Sequence, residues 1–248
     1  MKTSLDWPEA VEILNPEGSS RFVLTCEHAS RHIPAKYGGL GLSEAEIARH
    51  IGWDIGAAAV TRRLSALLDA PAFLSNYSRL LIDLNRPLEA DSSIPLRSET
   101  TDIPGNCDLD AAERERRASL MFHPFHDALA DHLDARAQQG RPTAILAIHS
   151  FTPVFKGGQR PWHAGVLFSH SRDWGLALVE RLGRDGLTAA ANEPYVIARD
   201  EDYTIPIHGE DRGLPALLIE IRQDLIGDDR GAEEWAERLA AAVGEPLS

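Results

Sequence analysis

The chain is short of cysteine, short of positive charge and without a long apolar run, and each shortage excludes a class of protein. Cys26 and Cys107 are its two cysteines in 248 residues. Two thiols make no disulfide framework, so the expectation is a reduced, cytoplasmic protein. No stretch approaches the ~18 consecutive apolar residues of a membrane span. The opening residues 1–8 have no apolar h-region, so no secretory signal is expected. Lys and Arg number 25 against 38 Asp and Glu, a net charge of −13. That balance argues against nucleic acid and anionic membrane as partners, because both need basic patches. It does not exclude a small anionic substrate, since a local arginine pocket can override the global sign. There is no Walker A sequence, no HExxH and no CxxC, and Gly157-Gly158 lacks the GxGxxG spacing. Internal repeats, heptads and low-complexity tracts are absent too. Any metal or catalytic site must therefore be assembled from distant segments.

Such segments are present. Four apolar, strand-like runs each end in a polar group. Residues 22–25 lead into Cys26-Glu27-His28, 80–84 into Asn85-Arg86, 144–148 into His149-Ser150, and 216–219 into Glu220 with Arg222 two residues on. Open α/β sheets place their sites at the carboxyl ends of their strands. Apolar content of 43% is enough for one large core, and the whole chain, 1–248, reads as a single domain.

The coarse order is as follows. A Pro/Gly/Ser-containing lead-in covers 1–20. Strands fall at 22–25, 72–75, 80–84, 143–148, 165–169, 195–198 and 217–221. Helices fall at 54–68, 110–139, 173–182 and 232–243, with a short one from a Ser43/Glu46 capping box to about His50. Pro124 predicts a kink or break near His123. Segments 87–109 and 199–213 read as long loops of the kind that form lids. Alternating strands and helices predict a three-layer α/β/α architecture with a mixed, mostly parallel sheet.

Taken singly, each polar group has two readings. His28 and His149 are metal ligands or hydrogen-bonded structural histidines. Asp54 is a third ligand or a helix N-cap. Glu27 is a reserve ligand, although its neighbour His28 should face the other way in a strand. Cys26 is a nucleophile, a thiolate ligand or a buried apolar filler. Arg79, Asn85 and Arg86 can bind a carboxylate or make surface ion pairs. Glu220, inside an apolar strand, is neutralised by Arg222 or is a base with a raised pKa. His123, His126 and His132 read as a polar helix face rather than as ligands.

Taken together, Thr25-Cys26-Glu27-His28-Ala29-Ser30, Gly52-Trp53-Asp54-Ile55-Gly56-Ala57, the run from Tyr77 through Ser78-Arg79 and Asp83-Leu84-Asn85-Arg86-Pro87, and Ile148-His149-Ser150-Phe151 resemble the N-formylglutamate amidohydrolase family. The resemblance extends from the first strand to at least His149. It implies a hydrolase that releases formate from N-formyl-L-glutamate in histidine degradation. A more distant similarity runs to the zinc carboxypeptidases, implying a phosphorylase/hydrolase-like fold. On that likeness His28, Asp54 and His149 hold one zinc per chain, with Glu27 in reserve. Glu220 is then the general base, and Arg79 aids carboxylate binding or polarises the scissile carbonyl. Asn85, Arg86 and Arg222 bind the substrate, a small anionic N-acyl amino acid. Two departures stand out. Arg31 occupies the place of Glu in the carboxypeptidase H-x-x-E motif, and Glu27-His28-Ala29-Ser30 replaces the Pro-His-x-Gly start of nearer deformylases. The competing expectations are a Cys26-dependent amidase and a non-catalytic carboxylate-binding protein.

Overall fold

A computed structural model describes residues 6–184 and 186–244. Residues 1–5, part of the expected lead-in and of the opening segment in which no secretory signal is expected, lie outside them. Seven strands make the main sheet: β1 (Val11–Leu14), β2 (Phe22–Cys26), β3 (Ala72–Ser75), β4 (Ala144–Phe151), β5 (Ala164–Leu167), β6 (Ala189–Ala191) and β7 (Ala216–Arg222), in the order β1-β3-β2-β4-β7-β5-β6. Strands β3, β2, β4 and β7 run parallel, while β1 and β5 are antiparallel to their inner neighbours β3 and β7. The sheet is mixed and mostly parallel, as expected. The chain leaves β2 for β3 on one side and later returns in β4 on the other, so a crevice opens at the carboxyl ends of β2 and β4.

Both faces are covered, which is why β4 and β7 read as continuous apolar runs. Helices α2 (Ala57–Leu68), α5 (Arg172–Gly183) and α6 (Asp229–Gly244) cover one face. In α6 the spacing of Ala232, Trp235, Ala236 and Leu239 presents one buried stripe to the sheet. The other face is covered by residues 77–109 and by the long helix, which comes in two α-helical parts, α3 (Ala111–Arg117) and α4 (His123–Gln138). Between them Ala118–Phe122 is π-helical. Pro124 has no N–H and crowds the preceding turn, and the widened turn accommodates it. The Ser43/Glu46 capping box is present and opens α1 (Glu44–Ile47). None of the described helices is long and apolar enough to cross a membrane.

Four expectations need correction. Residues 80–84 form no strand. Leu81 N bonds Ser78 O at 3.0 Å and Asp83 N bonds Ser93 O at 2.7 Å, so the run is a chain of turns beneath the long helix. Its apolar character reflects burial, which periodicity cannot tell from a strand. Residues 195–198 have no strand partner either. Strands β1 and β6 stand where none was expected; both are short edge strands. Helix α2 starts three residues after Asp54 and is entered through Gly56, at φ +83. A side chain at Gly56 would stand 2.1 Å from the Ile226 carbonyl oxygen, so glycine is required there.

Candidate metal and amide-hydrolysis site

Strand parity assembles the site. In β4, Ala144, Leu146 and Ile148 face the α2 side, which turns His149 to the other. In β7, Leu217, Ile219 and Ile221 do the same and turn Glu220 to that other side. Glu220 pairs with His149 in the β4–β7 register. In β2, Phe22, Leu24 and Cys26 pack on the α2 side. The alternation carries Glu27, just past the strand end, to the His149 side. Cys26 is thus fully buried in the opposite layer, and burial, then Asp54 and Glu27, push its thiol pKa well up. A thiolate nucleophile is not built here.

The structure brings His28, Asp54 and His149 together, all buried, with one possible ligand atom from each within 4.8 Å of the others. Asp54 is not the N-cap. Its backbone N–H donates to the His28 carbonyl at 3.0 Å, and its Oδ2 accepts from Ser150 N at 3.1 Å. These bonds clamp the 52–56 loop between the ends of β2 and β4. Both imidazoles present Nδ1 to the Asp54 carboxylate, at 3.3 Å for His28 and 3.0 Å for His149. Their other nitrogens meet separate carboxylates. His28 Nε2 lies 2.7 Å from Asp83 Oδ1, and His149 Nε2 lies 2.9 Å from Glu27 Oε2. A carboxylate behind an imidazole fixes its tautomer and orientation and raises its basicity as a ligand. Glu27 is therefore placed behind His149, rather than beside it as a reserve ligand. Its Oε1 accepts from Thr204 Oγ1 at 2.7 Å.

The charges agree with that geometry. Burial pushes the Glu27 carboxyl up, but the hydrogen bond and charge of His149 outweigh it and hold it at about 2. Burial also raises Asp54 and Asp83, and is overcome by the two histidines in the first case and by Arg79 and His28 in the second; both end below the usual carboxylate range. Burial lowers His149, yet Asp54 and Glu27 leave it well above the ordinary histidine value. Glu220 is the exception. Burial pushes it up to about 7, with His149 pulling the other way. Its Oε2 is buried without a hydrogen-bond partner, so Arg222 does not neutralise it.

Around the cluster is a cavity of about 500 Å³ lined by His28, Asp54, Arg79, His149, Tyr195 and Glu220 among others. Arg79 binds Asp83 Oδ2 through Nε and Nη2, at 3.0 and 2.6 Å, and its Nη1 lies 3.4 Å from Asp54. Asn85 and Arg86 also line the cavity, but both are engaged by Asp202. Arg222 turns away to Asp224, at 2.8 Å, and is not among the lining residues. Asp83 and Thr204 were not singled out from sequence. Asp83 did carry a signal: a carboxylate inside an apolar run has to be paired. Loop 87–109 contributes Ser92, Pro95 and residues 97–99 to the cavity wall and is pinned to the body near its far end. Buried Asn106 donates to the carbonyls of Leu80 and Pro95, both at 2.8 Å.

The N-formylglutamate amidohydrolase family model matches residues 20–227. The chain belongs to this family. Family membership makes it a hydrolase of amide bonds. Among solved structures, a gene product of Agrobacterium tumefaciens superimposes with a TM-score of 0.94 at 38% identity, covering 97% of this chain and 96% of that one. N-formylglutamate amidohydrolase from Ralstonia eutropha gives a TM-score of 0.68 at 20% identity, with 94% and 95% covered. The second likeness is one of fold. No curated protein matches the chain significantly in sequence.

Proposed function

We propose that this protein is a metal-dependent amidohydrolase that removes a formyl or other small acyl group from the nitrogen of an acidic amino acid, with N-formyl-L-glutamate as the leading candidate. The observation that supports this best is the pairing of two features on one cavity floor. One is a buried His-Asp-His cluster with each imidazole backed by its own carboxylate; the other is an unpartnered carboxyl, Glu220, on the neighbouring strand.

The donor set fits a divalent ion of borderline softness. Two imidazole nitrogens and one carboxylate oxygen suit zinc in a catalytic site that leaves a position open. His28, Asp54 and His149 would hold it. When bound, the metal supplies Lewis acidity for the amide carbonyl and lowers the pKa of a water towards ~7. The remaining steps belong to the chain. Glu220, poised near neutrality by burial, takes the proton of the attacking water and returns it to the leaving nitrogen. Arg79, fixed by Asp83, donates from Nη1 to the oxygen on which negative charge develops. Asp83 and Glu27 keep the two imidazoles oriented throughout. A reduced, cytoplasmic enzyme fits a chain whose two cysteines are both free.

Hydrolysis of a panel of N-formyl and N-acyl amino acids, before and after chelation, tests the reading. Chelator-sensitive release of an acidic amino acid, restored by zinc, is the expected result. Full turnover in exhaustively chelated protein would overturn it.

A further inference from the structure

The further inference rests on the amide-hydrolase reading and concerns where the substrate's carboxylate is held. The more distant carboxypeptidase likeness gives that task to Asn85 and Arg86. In this chain those donors are already taken. Asp202 Oδ1 accepts from Arg86 Nη1 at 3.1 Å and from Asn85 Nδ2 at 3.3 Å, and Asp202 Oδ2 accepts from Ala198 N at 2.9 Å. Arg86 Nη1 also reaches the Glu201 carbonyl. Asn85 Oδ1 receives the backbone N–H groups of Tyr203 and Thr204, at 3.3 and 3.0 Å. The pair thus grips segment 201–204, which in turn sets Thr204 against Glu27. A carboxylate of the protein fills the fork in which a substrate anion would sit.

Other arginines near the cavity are committed too. Arg79 is held by Asp83 and already assigned to the developing oxyanion, Arg97 pairs with Asp102 at 3.2 Å, and Arg49 pairs with Glu99 at 2.9 Å. Arg160 differs. Its guanidinium carbon stands 4.5, 4.8 and 5.8 Å from the ring centroids of Phe155, Tyr195 and Phe151. Its Nη1 donates to the Tyr195 hydroxyl at 2.8 Å. It makes no ion pair with a carboxylate among the described residues. Phe155 and Tyr195 both line the cavity that holds Glu220 and His149; Arg160 is not itself among the lining residues but is held against two that are. Gly165, the neighbour of Glu220 in the sheet register, allows this approach. A side chain there would stand 1.7 Å from the Glu193 carbonyl oxygen, two residues before Tyr195. A guanidinium set over aromatic rings is oriented while most of its donors stay free, so it can take a carboxylate in a bidentate pair.

We infer that Arg160, together with the Tyr195 hydroxyl, anchors a free carboxylate of the substrate at the cavity rim, and that Asn85 and Arg86 are positioning residues for segment 201–204. The test compares zinc-loaded wild type with Arg160→Gln, Arg160→Lys, Tyr195→Phe and Arg86→Gln on three substrates. These are N-formyl-L-glutamate and its two monoamides, each lacking one carboxylate. Wild type should discriminate against one monoamide. Arg160→Gln should raise KM for N-formyl-L-glutamate roughly 10- to 100-fold with kcat little changed, and should abolish the discrimination. Arg160→Lys should recover part of it. Calorimetric binding of L-glutamate to metal-free protein should weaken in parallel. Arg86→Gln should lower the melting temperature and keep the discrimination. Discrimination that survives Arg160→Gln and is lost in Arg86→Gln would overturn the inference and leave the hydrolase reading standing. A wild type that neither cleaves any of the three nor binds L-glutamate would overturn both.

Discussion

Two pairs of buried histidines lie in the same layer of this molecule and have opposite chemistry. His28 and His149 have ring centroids 4.8 Å apart and meet edge to face. His126 and His208 are 5.1 Å apart and stacked. All four are nearly inaccessible to solvent. Around the first pair stand three carboxylates, Asp54, Asp83 and Glu27, and His149 is pushed well above the ordinary imidazole value. The second pair is bonded to itself at 3.0 Å and to the Leu84 carbonyl, with Phe122, Phe125 and Tyr203 packed around it. Burial, then its partner's charge, lowers His126 to about 3; burial, then Arg212, lowers His208 to about 4. Residue type and burial therefore do not by themselves make a group that could hold a metal. The first pair differs in having anionic partners that orient each imidazole and would neutralise a cation.

The largest effect should come from removing a member of the first pair. His149→Ala or Asp54→Asn should abolish stoichiometric metal uptake and cost about 10³-fold or more in turnover. Metal content and rate, measured on the same preparations, check this. Glu220→Gln should come next. It should keep its metal and lose about 10²- to 10⁴-fold in kcat, because it removes the proton acceptor alone. Metal loss in Glu220→Gln would make it a structural support instead. Glu27→Gln reaches the pair from behind and should weaken metal affinity about 10- to 100-fold without preventing binding, as read by competition with a chromophoric chelator.

The second pair should show itself only in acid. Its folded-state pKa values lie below the unfolded value, so its contribution is fully present above about pH 6.5 and is lost as pH falls towards 4 and then 3. Each histidine should cost about 2 kcal/mol of stability between pH 6.5 and 5. Urea unfolding in excess chelator at pH 7.5 and 5.0 measures this. His126→Leu paired with His208→Leu should flatten the slope. A slope that persists would assign the acid sensitivity to other groups.

How much of this was legible in sequence follows the same division. The first pair could be read because strand ends are visible in sequence: β2, β4 and β7 appear as apolar runs, and His28 and His149 fall at the ends of two of them. Alternation accounts for Glu27, His149 and Glu220 sharing a face, whereas His28 reaches that face through the turn that follows β2. The family motifs added Asp54, whose position no local pattern explains, since it depends on a loop closing onto Ser150. The second pair could not be read. His126 looked like part of a polar helix face and is instead buried, because His208 arrives from a π-helical turn 82 residues away. Segment 80–84 misled for a related reason. Its apolar run records burial under the long helix, and its backbone bonds to turns and to Ser93 rather than to a neighbouring strand. Asp202 left no sequence signal at all, because what it does to Arg86 depends wholly on where the 198–204 segment folds.

The most direct test of the central claim is X-ray absorption at the zinc edge of zinc-loaded wild type and of Glu27→Gln. The account predicts two imidazole nitrogens at ~2.0–2.1 Å with the remaining ligands oxygen in both proteins. A first shell with sulfur in it, or with fewer than two imidazoles in the wild type, would contradict a metal centre built on His28, Asp54 and His149.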